Sequence, residues 1–80
     1  MHIKVFGPGC AKCEETLLLV NKAVESSETQ AHVEKVSDYK EMMKNGIMST
    51  PAVVIDGKLV CTGRVPSMPE ILEWIGVAKG

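Results

Sequence analysis

The chain has 80 residues, of which 45% are hydrophobic and 24% are charged, and its formal net charge is −1. This length predicts one domain, residues 1–80, with one modest core. The nine Lys and Arg residues are scattered, so the sequence offers no basic patch for nucleic acid or for an anionic membrane. The longest apolar run, residues 17–20, is too short to span a bilayer, and the first residues do not resemble a signal peptide.

The three cysteines narrow the class of protein further. Small secreted domains that depend on disulfides usually carry an even number of cysteines. Two close cysteines, Cys10 and Cys13, with a distant third, Cys61, instead favour an intracellular redox or metal-binding protein. We therefore expect a cytoplasmic location.

The first part of the chain predicts a strand followed by a helix. Residues 2–6 have a strand pattern, Gly7-Pro8-Gly9 breaks it, and a helical pattern runs from Glu14 to Val24. Leu18 and Leu19 widen the apolar stripe of this helix, so we expect it to be buried on more than one side.

A second strand and a short helix follow. Residues 31–36 predict a strand with its odd-numbered side chains on one face and its even-numbered ones on the other. Asp38 and Glu41 have the spacing of a capping box, which predicts a helix to about residue 45. Gly46 is well placed to end that helix in a left-handed conformation.

The last part of the chain predicts a hairpin and a final helix. The apolar run 52–55 gives the best strand pattern in the chain, and Asp56-Gly57 predicts a tight turn into a partner strand over 58–61. Ser67 and Glu70 form a second capping-box spacing before an apolar helical pattern. We expect Gly76 to fray or end this helix.

The predicted order is strand, helix, strand, helix, strand, strand, helix, which is an α/β fold. Strands separated by helices are expected to be parallel where they pair in one sheet. The third connection is the exception, because its helix is short and the Pro51 entry can reverse the chain. The last two strands must be antiparallel, so the sheet is mixed and four-stranded, with helices on both faces.

The Cys-x-x-Cys segment carries the chemistry. Cys10 comes just before or at the first turn of a helix, where free backbone N–H groups and the helix dipole favour a thiolate. The two-residue spacing brings two sulfurs within disulfide reach. On its own this spacing fits thiol–disulfide exchange, the binding of a soft metal, or an inert pair of thiols.

The whole pattern resembles the small glutaredoxin-like, redox-active disulfide proteins of the thioredoxin superfamily. The segments that carry the resemblance are Gly9–Cys13, Gly46–Ala52, Asp56–Lys58 and Gly63–Pro66. The resemblance implies a minimal thioredoxin fold, a cis peptide bond before Pro51, and a Thr50 backbone that pairs with an extended substrate segment. It implies no cofactor.

The resemblance also implies roles for both cysteines. Cys10, nearer the helix N-terminus, attacks a substrate disulfide, and Cys13 resolves the mixed disulfide. The partners are then a protein disulfide and an upstream disulfide reductase, and we expect a monomer. Two features differ from thioredoxins proper. Ala11-Lys12 stands between the cysteines in place of Gly-Pro, and the strand 2–6 lacks the buried acidic residue that assists proton transfer.

Two other functions use the same residues. The first is a carrier or binding module for Cu or Zn in which the thiolates of Cys10 and Cys13 are the ligands. A closed structural zinc site would need four ligands, and beyond these two only Cys61 or a histidine is available. The second is a docking domain that presents the groove at Thr50-Pro51. A metallochaperone of ferredoxin-like fold would end in a strand, whereas this chain ends in a helical pattern.

The remaining conspicuous residues have structural interpretations. We expect Cys61 to be a buried apolar residue, with a regulatory disulfide as the alternative. Trp74 is expected to anchor the last helix. We expect core positions for four methionines, Met42, Met43, Met48 and Met68, although Met48 could instead line the substrate groove. His2 and His32 receive no role.

Overall fold

A computed structural model describes residues 1–9 and 11–79 of the chain. The elements in order are β1 (His2–Phe6), α1 (Ala11–Ser26), β2 (His32–Val36), α2 (Tyr39–Lys44), β3 (Ala52–Ile55), β4 (Lys58–Thr62) and α3 (Met68–Lys79). This order confirms the predicted α/β arrangement and is that of a minimal thioredoxin fold. None of the helices in the described ranges is long and apolar enough to cross a membrane.

The four strands form one mixed sheet in the order β2-β1-β3-β4. β1 and β2 are parallel, with His2 opposite His32 and Phe6 opposite Val36. β3 runs antiparallel to β1. The connection through α2 and Pro51 therefore reverses the chain direction, which the sequence indicated as possible for this connection. β3 and β4 form the predicted hairpin, and its turn residues Asp56 and Gly57 have φ values of 49° and 83°.

The sheet separates two apolar clusters. The larger cluster lies between the sheet and the pair α1 and α3, and its buried members include Ile3, Val5 and Ile71. The smaller cluster lies on the other face, where Phe6 packs with residues of α2 and its flanking segment such as Met42. Alternate side chains of β1 therefore serve opposite faces, which accounts for helices on both sides of the sheet.

Helix α1 is buried along a narrower stripe than its sequence predicts. Its buried residues are Cys13, Thr16, Val20 and Ala23. Leu18 is 62% exposed, so the expected widening of the apolar stripe was wrong for this residue, whereas half-buried Leu19 packs against the larger cluster. The hydroxyl of buried Thr16 donates to the Lys12 carbonyl at 2.8 Å, and this bond satisfies a polar group that would otherwise be costly to bury.

Helix α2 begins and ends at the residues that the sequence predicts, and α3 begins at its predicted residue but does not end at Gly76. Asp38 accepts a hydrogen bond from the Lys40 N–H at 2.9 Å, and Gly46 has a φ of 70° just after α2. At α3 the Glu70 carboxylate accepts from the Ser67 N–H at 3.1 Å. The prediction that Gly76 frays or ends the last helix was wrong, because α3 continues to Lys79.

The methionines do not share one environment. Met42 is 3% exposed and belongs to the smaller core cluster, as predicted. Met43 and Met48 are 79% and 97% exposed, so the core prediction was wrong for these two. Adjacent residues of a helix point in different directions, so when Met42 of α2 faces the sheet, Met43 faces solvent.

Candidate functional site

The turn between β1 and α1 holds the Cys-x-x-Cys segment. β1 ends at Phe6, and the Gly7 N–H donates to the Val36 carbonyl of β2 at 2.9 Å. Gly9 has a φ of 90°, a left-handed conformation that favours glycine. α1 then begins at Ala11. Cys10 lies outside the described residues, so its predicted position and role stay predictions.

Cys13 lies in the first turn of α1 and is only 2% exposed. Its side chain fills the space that Gly7 leaves by having no side chain. A Cβ built on Gly7 would overlap the Cys13 sulfur and lie 2.9 Å from the Cys13 Cβ, closer than real Cβ atoms approach other atoms. The same position lies 3.9 Å from the Cβ of Thr50. Gly7, Cys13 and Thr50 therefore meet at one point.

The loop before β3 brings the second predicted pair of site residues to this point. The Thr50–Pro51 peptide bond is cis, the Pro51 side chain is fully buried and Thr50 is half-buried. The Pro51 carbonyl accepts the Gly63 N–H at 2.9 Å, and the Thr62 hydroxyl donates to the Ser49 carbonyl at 2.9 Å. The end of β4 thus holds this loop in place.

An ion pair that the sequence did not reveal lies beside the turn. Lys35 of β2 donates from Nζ to Oε1 of Glu14, the residue after Cys13, at 2.6 Å. A Cβ on Gly9 would lie 3.5 Å from that Nζ, so the ammonium group stands over the loop. The pKa of Lys35 is raised by the hydrogen bond and charge of Glu14, against the opposing effect of burial, with the smallest contribution from negative charge on Cys13.

This coupling between Lys35 and Cys13 works in both directions. If a negative sulfur stabilises the ammonium group, the ammonium group equally favours the thiolate over the thiol. Lys35 is not evident from the sequence as a site residue, because it lies 22 positions after Cys13 and reaches it only through the pairing of β2 with β1. The one feature of the sequence that could have indicated it is the alternation along β2, which places odd-numbered residues such as Lys35 on the side of the sheet that α1 covers.

Cys61 lies apart in the larger core cluster and is 5% exposed. Burial raises the pKa of its thiol, and its sulfur approaches the Arg64 carbonyl at 3.6 Å. This confirms the buried position expected from the sequence. Arg64 itself forms two hydrogen bonds with the Glu70 carboxylate, at 2.9 and 2.6 Å, which ties the segment after β4 to the first turn of α3.

Metal-ligating side chains are grouped elsewhere. Within residues 1–9 and 11–79, neither Cys13 nor Cys61 belongs to a group of three potential ligands. The group that does occur there consists of His2, His32 and Glu34.

Comparison with known proteins agrees with this geometry. The sequence model of the thioredoxin domain family matches residues 1–76. The chain is 41% identical over 71 residues to a thioredoxin of Methanocaldococcus jannaschii, covering 89% of this chain and 81% of that protein. It is 32% identical over 71 residues to a thioredoxin of Methanothermobacter thermautotrophicus, covering 89% and 92%. A match over nearly the whole chain, on a β-α-β-α-β-β-α fold, shows that the protein belongs to the thioredoxin domain family.

Proposed function

We propose that this protein is a thiol–disulfide oxidoreductase that exchanges electrons with protein disulfides through Cys10 and Cys13. The observation that carries the proposal is the packing of buried Cys13 against Gly7, the glycine that Thr50 of the Thr50-Pro51 loop also approaches. Membership of the thioredoxin family supports the same chemistry. The soft-metal alternative gains no support from these relatives.

The exchange proceeds in two balanced steps. The Cys10 thiolate attacks one sulfur of the substrate disulfide, forming a mixed disulfide and releasing the other substrate sulfur as a thiolate that takes up a proton. Cys13 then loses its proton and attacks the Cys10 sulfur, which releases the second substrate thiol. Two electrons have passed to the substrate, and the protein holds a Cys10–Cys13 disulfide. An upstream disulfide reductase returns both thiols to the reduced state.

Burial of Cys13 suits a resolving thiol. The thiol of a residue that is 2% exposed does not compete for external disulfides, and it reacts when a mixed disulfide forms on the neighbouring Cys10. Because β1 carries no acidic residue, we assign the electrostatic support of this thiolate to Lys35, held in place by Glu14. The nearby ammonium group stabilises the sulfur anion as the proton leaves.

The loop that contains Thr50 supplies the surface for the substrate. Pro51 has no N–H, so the backbone groups of half-buried Thr50 remain the natural partners of an extended substrate segment. Met48, which is 97% exposed, stands two residues before Thr50 and offers apolar area to that segment. We further propose that the protein works as a monomer in the cytoplasm, where thiols are kept reduced.

The experiment is a trapping assay with cysteine variants. Cys13→Ser should accumulate mixed disulfides with protein substrates through Cys10, because the resolving step is removed. Cys10→Ser/Cys13→Ser should neither form them nor reduce the disulfides of insulin. Cys61→Ala is the matched control, since it removes a buried thiol outside the turn and should keep the activity. Insulin reduction by the double variant at the wild-type rate would refute the proposal.

The reduction potential of the Cys10–Cys13 pair decides the direction of electron flow. A value near that of thioredoxin, about −270 mV, fits a reductant in the cytoplasm. A value near about −120 mV, that of a strong oxidant, would contradict the reductive direction proposed above.

A further inference from the structure

The starts of β1 and β2 bring two histidines together. In the parallel pairing of these strands His2 lies opposite His32, and Lys4 lies opposite Glu34. Even-numbered residues of both strands share the α2 face of the sheet, but α2 has only six residues and packs at the Phe6 end. The face at the His2 end therefore stays open to solvent. At about 3.3 Å per residue it lies roughly 16 Å along β1 from Gly7 and the cysteine turn.

Three potential metal ligands converge on this open face. Nε2 of His2 lies 3.0 Å from Oε2 of Glu34, and the rings of His2 and His32 meet edge to face with centroids 5.1 Å apart. One ligand atom from each of the three side chains lies within 4.8 Å of the others. Ligands about 2.0–2.1 Å from a tetrahedral ion are about 3.4 Å apart, so side-chain rotations of about 1 Å complete the set.

The backbone on which these ligands stand is already fixed. The His2 N–H donates to the Asp56 carboxylate at 2.7 Å, and the His2 carbonyl accepts the Asp56 N–H at 2.8 Å. The His32 N–H donates to the Met1 carbonyl at 2.9 Å. Binding an ion therefore orders only side-chain rotamers, which keeps its entropic cost low.

We propose that His2, His32 and Glu34 bind a borderline divalent cation of the Zn²⁺ type. Two imidazole nitrogens and one carboxylate oxygen are a donor set that such ions accept, with water in the remaining position. The ion joins the edge strand β2 to the central strand β1. Lys4, the register partner of Glu34, opposes the bound positive charge, whereas the Asp56 carboxylate beside His2 favours it.

The test is a calorimetric titration with zinc chloride in the Cys10→Ser/Cys13→Ser background, which removes the thiolates that would compete for the ion. Binding with one ion per chain is expected. His32→Gln and Glu34→Gln should each weaken it at least tenfold, because each removes one of three ligands. Glu25→Gln is the matched control, since Glu25 is an exposed acid on α1, which covers the opposite face of the sheet. It should leave the affinity unchanged.

Two further measurements keep the proposal open to refutation if a variant folds poorly. Zn²⁺ should raise the thermal midpoint of the serine-background protein and shift the imidazole NMR signals of both histidines together. In the same serine-background protein Co²⁺ at this site should give weak d–d bands without the intense charge-transfer absorption of thiolate ligands. Absence of saturable zinc binding, or equal affinity in Glu34→Gln and Glu25→Gln, would overturn the site. Neither result bears on disulfide exchange, because the titrated protein lacks both active cysteines.

Discussion

Substitution of Gly7 by alanine tests whether the buried cysteine is positioned by the missing side chain. A new Cβ would overlap the Cys13 sulfur and lie 2.9 Å from the Cys13 Cβ. Gly7 is not among the glycines with positive φ, so alanine fits the backbone and the contact alone is at issue. The sulfur must move by roughly 1 Å or more to restore an ordinary van der Waals distance.

The magnitude follows from the packing around the contact. Cys13 is almost fully buried, so its displacement is an overpacking defect, which costs about 1–3 kcal/mol. For a domain of this size each 1 kcal/mol lowers the thermal midpoint by about 4–8 °C, so a decrease of roughly 5–20 °C is expected. Because a 1 Å misplacement of a reacting group can cost about 100-fold in rate, resolution of the mixed disulfide should slow far more than attack by Cys10.

The assay combines thermal unfolding with stopped-flow kinetics of the two exchange steps. Gly76→Ala is the matched control. Nothing lies within 4 Å of a Cβ at Gly76, which is exposed within α3 at ordinary φ, so alanine should be neutral or stabilise by about 0.5–1 kcal/mol. In a Cys13→Ala background the cost of Gly7→Ala should shrink without vanishing, because the sulfur is gone but the Cβ contact remains. An equal cost in both backgrounds would refute the reasoning.

Three other predictions concern charge and burial. Lys35→Met should move the pH dependence of the exchange reaction to higher pH and slow the reaction by up to about fivefold, because it removes the positive charge beside the Cys13 thiolate. This factor corresponds to about 0.2–1 kcal/mol for a partly exposed charge interaction, and pH–rate profiles measure it. The Arg64 guanidinium and the Ser67 groups lower the pKa of Glu70 from 4.5 to about 2, so its stabilisation is complete above pH 4.5 and is lost as the pH falls towards 2. Urea unfolding of Glu70→Gln should therefore differ from wild type at pH 6 and approach it at pH 2, and a gap that stays constant would contradict this assignment. Val20→Ala should lower the free energy of unfolding by about 1–3 kcal/mol, because Val20 is buried. Leu18→Lys should change it by no more than about 0.5 kcal/mol in the same assay, because Leu18 is exposed.

Much of the fold was predictable because its signals are local. The Asp56-Gly57 turn and Asp38 with Gly46 depend on residues within a few positions of each other, and all formed as predicted. Errors came where local signals compete with packing. Leu18 extends an apolar run, but the helix turns it away from the sheet. Gly76 weakens a helix intrinsically, yet packing of Ile75 and its neighbours in the core carries the helix past it.

The candidate site was predictable only in part, for a related physical reason. The spacing of Cys10 and Cys13 and the Thr-Pro pair are visible in the sequence. What tunes such a site comes from other elements. Lys35 reaches the turn only because β2 pairs with β1 in one particular register.

The register of β2 against β1 fixes the positions of Lys35 near one end of β2 and of His32 at the other. A shift of β2 by one residue would turn Lys35 away from Glu14 and would also send His32 to the covered face, away from His2. Both the position of Lys35 beside Cys13 and the grouping of His2, His32 and Glu34 therefore depend on the parallel pairing of β1 with β2. A bound cation that holds His32 opposite His2 favours the register that keeps Lys35 beside the cysteine turn. Zinc should accordingly protect the backbone amides of β2 from hydrogen exchange along the whole strand, because the strand opens as one unit.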